Sequence, residues 1–270
     1  MDPAKPPDAR RLPHAVWAFG VTSMFMDVSS ELLQSLLPVF LATTLGVGLV
    51  AIGLIEGMAE STASISKVLS GALSDRWRRR KPLVVFGYAL SALTKPVFPL
   101  ATGVGAVAGA RFVDRLGKGT RTAPRDALLA DLAPPGLRGA AFGLRQALDS
   151  VGALLGPLLA LLFMALFDND IRAVLWVGVA FAFVSVAVVA AVPEPERAGG
   201  RPPFRLSDVR RMGRGYWLVV TLGAGVRLAR FSQAFLVLRA QHAGASLAAV
   251  PLVMIVMNAV YAAVAYPAGS

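Results

Sequence analysis

Thirteen ionisable side chains fall within stretches of this chain that are otherwise apolar enough to cross a membrane. Six are acids (Asp27, Glu31, Glu56, Glu60, Asp114, Asp149) and seven are bases (Lys67, Lys95, Arg111, Arg115, Arg145, Arg227, Arg230). Facing lipid at a helix centre, each would cost roughly 2.5–3.5 kcal/mol, so such groups line a wet cavity or pair with one another. Asp27 and Glu31 are spaced i, i+4, as are Glu56 and Glu60, and Arg111 and Arg115, so each pair shares one helix face. At a rise of 1.5 Å per residue, Asp27 stands ~18 Å along the first span. The second span returns Glu56 and Glu60 to a similar level, while Arg111, Asp114, Arg115 and Arg227 reach the middle of the fourth and seventh. Such a set can bind a charged solute, or take up and release a proton. A carboxylate taken out of water holds its proton more tightly, and a neighbouring guanidinium loosens it. A cavity opening to one side and then the other alternates between those conditions. Asp27, Glu31 and Arg111 are the residues expected to share that exchange. Arg145 and Asp149, i, i+4 on the fifth span, read as a structural ion pair.

The elements that must position these residues are eight candidate membrane helices, at about 15–44, 48–73, 82–102, 104–124, 140–167, 171–192, 216–238 and 247–268. Apolar residues make up 56% of the chain and charged residues 16%, and the mean hydropathy is +0.62. Those values separate it from ordinary soluble domains. The connections on one side carry eighteen Lys and Arg, counting Lys118, Arg121, Arg125 and Arg138 between the fourth and fifth spans. The opposite side carries Arg172 and Arg239. Cations resist translocation, so the N terminus is expected in the cytoplasm. The division that follows is a tail (1–14), a six-helix bundle (15–192), a cytoplasmic loop (193–215) and the start of a second bundle (216–270).

Residues 71–81, G-A-L-S-D-R-W-R-R-R-K, form a charged patch between the second and third spans. The spacing of Gly71, Asp75, Arg76, Arg79 and Arg80 resembles the loop between helices 2 and 3 of the major facilitator superfamily. Arg78 stands where that family commonly has glycine. In the fourth span, R-F-V-D-R-L-G-K-G is similar to the family's R-x-x-Q-G-x-G-x-G stretch through Arg111, Gly117 and Gly119, with Asp114 and Arg115 replacing its amide and first glycine. The connection A-P-P-G-L-R-G resembles P-x-x-R-G through Arg138 and Gly139, and G-A-L-L-G-P resembles G-x-x-x-G-P through Gly152, Gly156 and Pro157. The resemblance covers nearly the whole chain. It implies an all-α polytopic membrane protein with a six-helix N-terminal bundle and the first two helices of a C-terminal one. It also implies alternating access, a cytoplasmic gate at 71–81 in which Asp75 bonds a neighbouring helix end, and, through the fifth-span motif, proton-driven antiport.

A shift of 198 residues lays Gly46 on Gly244, Glu60 on Asn258 and Gly71 on Gly269, the parallel repeat expected of such halves. On that register the chain ends where a second copy of the gate loop would begin. The expectation is a chain stopping after its eighth helix, with further helices supplied by another chain.

Other functions fit poorly. The only histidines are His14 and His242, there is no cysteine, and neither H-E-x-x-H nor G-x-S-x-G occurs. L-G-K-G-T at 116–120 lacks the earlier glycine of a phosphate loop, since Phe112 stands there. The formal charge of +11 comes in bursts between apolar stretches rather than on one face, which argues against nucleic acid. The reading is therefore a transporter, not an enzyme, without cofactor or metal, in a bacterial cytoplasmic (inner) membrane. Its partners are lipid, protons and a small solute, and proton-coupled export is the expected direction. The alternatives are proton-coupled uptake of a small anionic or zwitterionic metabolite, and an inactive truncated transporter or membrane scaffold.

Overall fold

The computed structural model describes residues 12–76, 80–192, 212–229 and 232–269, with the side chains of 226–229, 262 and 264–269 left aside. Among the described residues there is no strand. The first span is α1 (His14–Val39), which continues into one π-helical turn, Phe40–Thr44. Pro38 lies inside α1 and removes a backbone donor, which loosens the helix just before that wider turn. Gly46, at φ +64°, then reverses the chain, a left-handed conformation that glycine adopts without penalty. The second span is α2 (Leu49–Arg76).

The third span is broken. It consists of α3 (Lys81–Thr94) and a single further turn, α4 (Val97–Leu100), on either side of Lys95-Pro96. Next come α5 (Val104–Leu132), α6 (Arg138–Leu166) and α7 (Ile171–Ala191). Asp170 caps α7 by accepting from the amides of Arg172 and Ala173 at 2.9 and 3.3 Å. The seventh span likewise comes in two pieces, α8 (Arg214–Ala229) and α9 (Gln233–His242), and the eighth is α10 (Pro251–Gly269).

Among the described residues, five helical stretches are long and apolar enough to cross a membrane: His14–Thr44, Leu49–Arg76, Lys81–Leu100, Pro135–Leu166 and Ile171–Ala191. The charge-rich α5 has the length but not the apolar composition. It also extends well past residue 124, where the sequence placed its end, and that corrects the cation count. Arg121 and Arg125 are buried side chains of α5, 4% and 8% exposed, and Lys118 lies in the same helix. None of the three belongs to a loop. The helix continues because Pro124 fits with the loss of one hydrogen bond, while buried partners hold the arginines inside the bundle.

Two helices organise the packing. α1 lies against α6 and α7, and α5 against α2 and α3. Backbones approach closely where glycine leaves room: a Cβ at Gly117 would sit 2.7 Å from the Gly87 carbonyl, and one at Gly119 would sit 2.6 Å from the Ala63 carbonyl. Leu32, Leu33, Leu36, Leu37 and Phe40 of the first span are fully buried in the largest apolar cluster, which also takes in Val237, Leu238 and Met254 of α9 and α10. The proposed loop 193–215 falls outside the described residues except for its last four.

Candidate functional site

The charges meet along α5. Arg111 donates from Nη2 to both oxygens of Glu56 on α2, at 2.9 and 3.2 Å. Arg115, four residues on, donates to Gln34 of α1 at 3.2 Å and lies 3.7 Å from Glu60. Asp114 faces Lys95 at 3.3 Å, and Lys95 also donates to Ser30 at 3.2 Å. Lys95 stands at the break between α3 and α4, where it caps the carbonyl of Ala92 with its own amide. These groups are nearly all withdrawn from solvent: Lys95 is 0% exposed, Arg111 1%, Arg115 2%, Asp114 3% and Glu56 5%. Glu60 is the outlier, its side chain 61% exposed.

Toward the C-terminal end of α5 a second network forms. Arg121 lies 4.6 Å above the ring of Tyr88 and donates to Ser91. Arg125 donates to Ser23 at 2.8 Å and pairs with Asp126 at 3.1 Å. Asp126 accepts from Arg145 at 3.1 Å, and Arg145 pairs in turn with Asp149 through a 3.0 Å bond from Nε. The Arg145–Asp149 pair on one face of α6 is therefore present, and Asp126 ties it to α5.

The acids of α1 differ. Asp27 and Glu31 form no ion pair within 4 Å among the described residues, although Lys118 acts on both electrostatically. Arg111 pairs with Glu56 of α2, and it also acts electrostatically on Glu31. What holds Asp27 and Glu31 in place is α6. A Cβ at Gly152 would lie 3.1 Å from the Asp27 Cβ, and one at Gly156 would lie 2.8 Å from the Glu31 Cβ. Pro157 is buried beside them.

Asp27 lines a cavity of about 330 Å³ with Arg145, Gln146, Asp149, Ser150 and Ala153 of α6 on one wall. Gln233 of α9 and Met257, Asn258 and Tyr261 of α10 form the other wall. Along α6 that wall climbs ~12 Å, from Arg145 at the side where the chain starts to Ala153 at mid-depth. Beyond it, α9 closes over α1 and α2. Gln34 bonds Gln233 at 3.3 Å, Ser232 donates to Glu56 at 3.4 Å, and Phe235 packs against Gly53.

At the start side, Arg80 bridges Asp75, at 3.4 Å near the end of α2, and Asp131 in the last turn of α5. Arg138 donates to the Ala130 carbonyl at 3.2 Å and staples the start of α6 to the same turn. Gly71 packs on Ala123, Gly139 faces open space, and Arg76 ends α2 at the surface. Arg79 and the side chain of Arg227 lie outside the described residues.

Sequence reasoning missed Gln34, Asp126, Asp131 and Asn258. A polar residue within an apolar run marks Gln34 and Asn258, and the repeat register already sets Asn258 opposite Glu60. Asp126 and Asp131 carried no such mark, because both were assigned to a loop.

The half-buried charges Asp27, Arg145 and Asp149 thus line a cavity between the helices of a polytopic membrane bundle. Residues 18–270 match the sequence profile of the Major Facilitator Superfamily. An uncharacterised MFS-type transporter of Methanocaldococcus jannaschii is 35% identical over 235 residues, covering 86% of this chain and 58% of that protein. The multidrug resistance protein MdtH of Photorhabdus laumondii is 30% identical over 175 residues, covering 65% of this chain and 41% of that one. In fold, the crystal structure of a bacterial homologue of the human lysosomal transporter Spinster matches with a TM-score of 0.70 at 16% identity, over 96% of this chain and 61% of that chain. The chain belongs to the Major Facilitator Superfamily and is an integral membrane protein. It spans about half the length of the curated relatives it matches, 58% and 45% for the first two.

Proposed function

We propose that this protein serves proton-driven export of a small solute by alternating access, with Asp27 and Glu31 as the proton-exchanging groups. The observation that carries the reading is their lack of an ion-pair partner among the described residues, while Arg111, Arg115, Arg125, Arg145 and Lys95 each have one. A carboxylate already neutralised by a guanidinium gains little from a proton; one beside a cavity without that partner gains much. The same pairing weighs against uptake of an anion, since the cavity's arginine is already engaged by Asp126 and Asp149. Packing of the Gly152 and Gly156 face on these two acids gives α6 a direct hold on them, and the relative named for multidrug resistance supports the outward direction.

The start side of the bundle is read as cytoplasmic, within a bacterial inner membrane. With Lys118, Arg121 and Arg125 assigned to α5, fifteen cations still face two, and that bias supports the orientation. The Arg80 bridge between Asp75 and Asp131 serves as the cytoplasmic gate. Cysteines placed at Gly139 and Gly48, in a chain with no native cysteine, are expected to label from inside and outside respectively; labelling of Gly139→Cys from outside overturns the orientation. For coupling, proteoliposomes carrying an imposed pH gradient are assayed for ethidium and a panel of metabolites. Asp27→Asn and Glu31→Gln are expected to abolish gradient-driven flux without loss of insertion. Retained gradient dependence in both variants refutes the assignment.

A further inference from the structure

Pro157 has no amide hydrogen, so the carbonyl of Ala153, one turn earlier in α6, has no partner in its own helix. Ala153 lines the cavity, as does Asn258 of α10, which donates to that carbonyl from Nδ2 at 2.7 Å. Asn258 is the only described side chain of α10 that hydrogen-bonds the first bundle. Its bond lies at mid-depth, with the closed contacts of α9 on α1 and α2 beyond it and the cavity on the start side.

The geometry points to Asn258 as a conformational latch, holding the far side of the cavity closed through the carbonyl that Pro157 leaves open. The carbonyl has two ways to be satisfied. With the bundles together at this level it takes the Asn258 amide; with them apart it takes water from the opened cavity. An intact helix would satisfy the carbonyl internally in both states and make no distinction between them. The proline therefore turns an ordinary backbone group into one whose partner depends on conformation. The same turn of α6 presents Gly152 and Gly156 to Asp27 and Glu31 on an adjoining face. Movement of α1 when those acids change charge thus reaches the latch through three residues of one helix. The inference rests on alternating access, but not on which ion or solute is carried.

The test uses the protein in proteoliposomes with a single thiol, Ser150→Cys, on the cavity wall, modified by an impermeant methanethiosulfonate reagent added from either side. A hydrogen bond of ordinary strength shifts a two-state balance roughly two- to tenfold. Asn258→Ala, and Asn258→Leu as a variant of similar volume, are expected to raise the far-side modification rate by that factor and lower the start-side rate. Pro157→Ala restores the missing amide, so in that background both Asn258 variants are expected to leave the rates unchanged. Equal effects in the two backgrounds, or unchanged rates with proline present, overturn the latch. A thiol that never reacts from the far side in any background overturns it too, and in that case alternating access itself fails; reaction from both sides at rates indifferent to Asn258 removes the latch alone.

Discussion

The Arg111–Glu56 pair offers the sharpest test of the buried network. Arg111 is 1% exposed and Glu56 5%, so neither recovers water when the other is removed. Among the described residues Arg111 leaves Nε and Nη1 without a partner, so the two bonds to Glu56 are the hydrogen bonds it makes. Replacing Glu56 with leucine strands the guanidinium; replacing Arg111 with methionine leaves Glu56 with only the 3.4 Å contact from Ser232. Loss of one partner of a buried pair costs ~3–5 kcal/mol, whereas an apolar replacement of both is close to neutral. At 2–4 °C per kcal/mol for a domain of this size, each single variant should melt roughly 6–20 °C below the parent, and the double variant within about 5 °C of it. Intrinsic fluorescence of the four tryptophans during heating in detergent reports the midpoints. Two results refute the reasoning. Single variants melting within about 2 °C of the parent would mean that water or another group reaches the stranded charge. A double variant whose midpoint falls by the sum of the two single drops would mean that the two residues act independently.

Two further outcomes follow from the packing and the gate. Gly156→Ala puts a methyl 2.8 Å from the Val28 carbonyl and the Leu32 amide, both backbone, so α6 must lift off α1 at a cost of ~1–3 kcal/mol. Its melting midpoint should fall by several degrees, while Gly139→Ala, with nothing within 4 Å, should not move; equal midpoints would show that the α1–α6 contact is looser than described. Arg80→Ala removes both arms of the bridge between Asp75 and Asp131, whose side chains are 41% and 44% exposed. An ion pair so well solvated contributes ~0–1 kcal/mol, so stability should hardly change. The start-side reaction rate of Ser150→Cys should rise, and an unchanged rate would reduce Arg80 to a surface contact.

The sequence alone determined what depends on near neighbours along the chain. Apolar runs long enough to span a bilayer located five of the helices among the described residues, since hydropathy is a property of each segment. Spacing of i, i+4 paired Arg145 with Asp149, because two residues four apart on one helix meet whatever surrounds them. The four motif stretches pointed to the family through residues that are themselves contiguous. Partner choice across helices was decided only by the tertiary structure. Arg111 pairs with Glu56, 55 residues away in the chain, because α5 packs on α2 through Gly119. Arg121 and Arg125 look like loop cations in the sequence, and become interior residues because Tyr88, Ser91, Ser23 and Asp126 lie where those side chains end. The bond from Asn258 to Ala153 joins residues 105 apart in the chain. Pro157 made the free carbonyl legible in the sequence, but its donor came from a helix that only packing could bring to it.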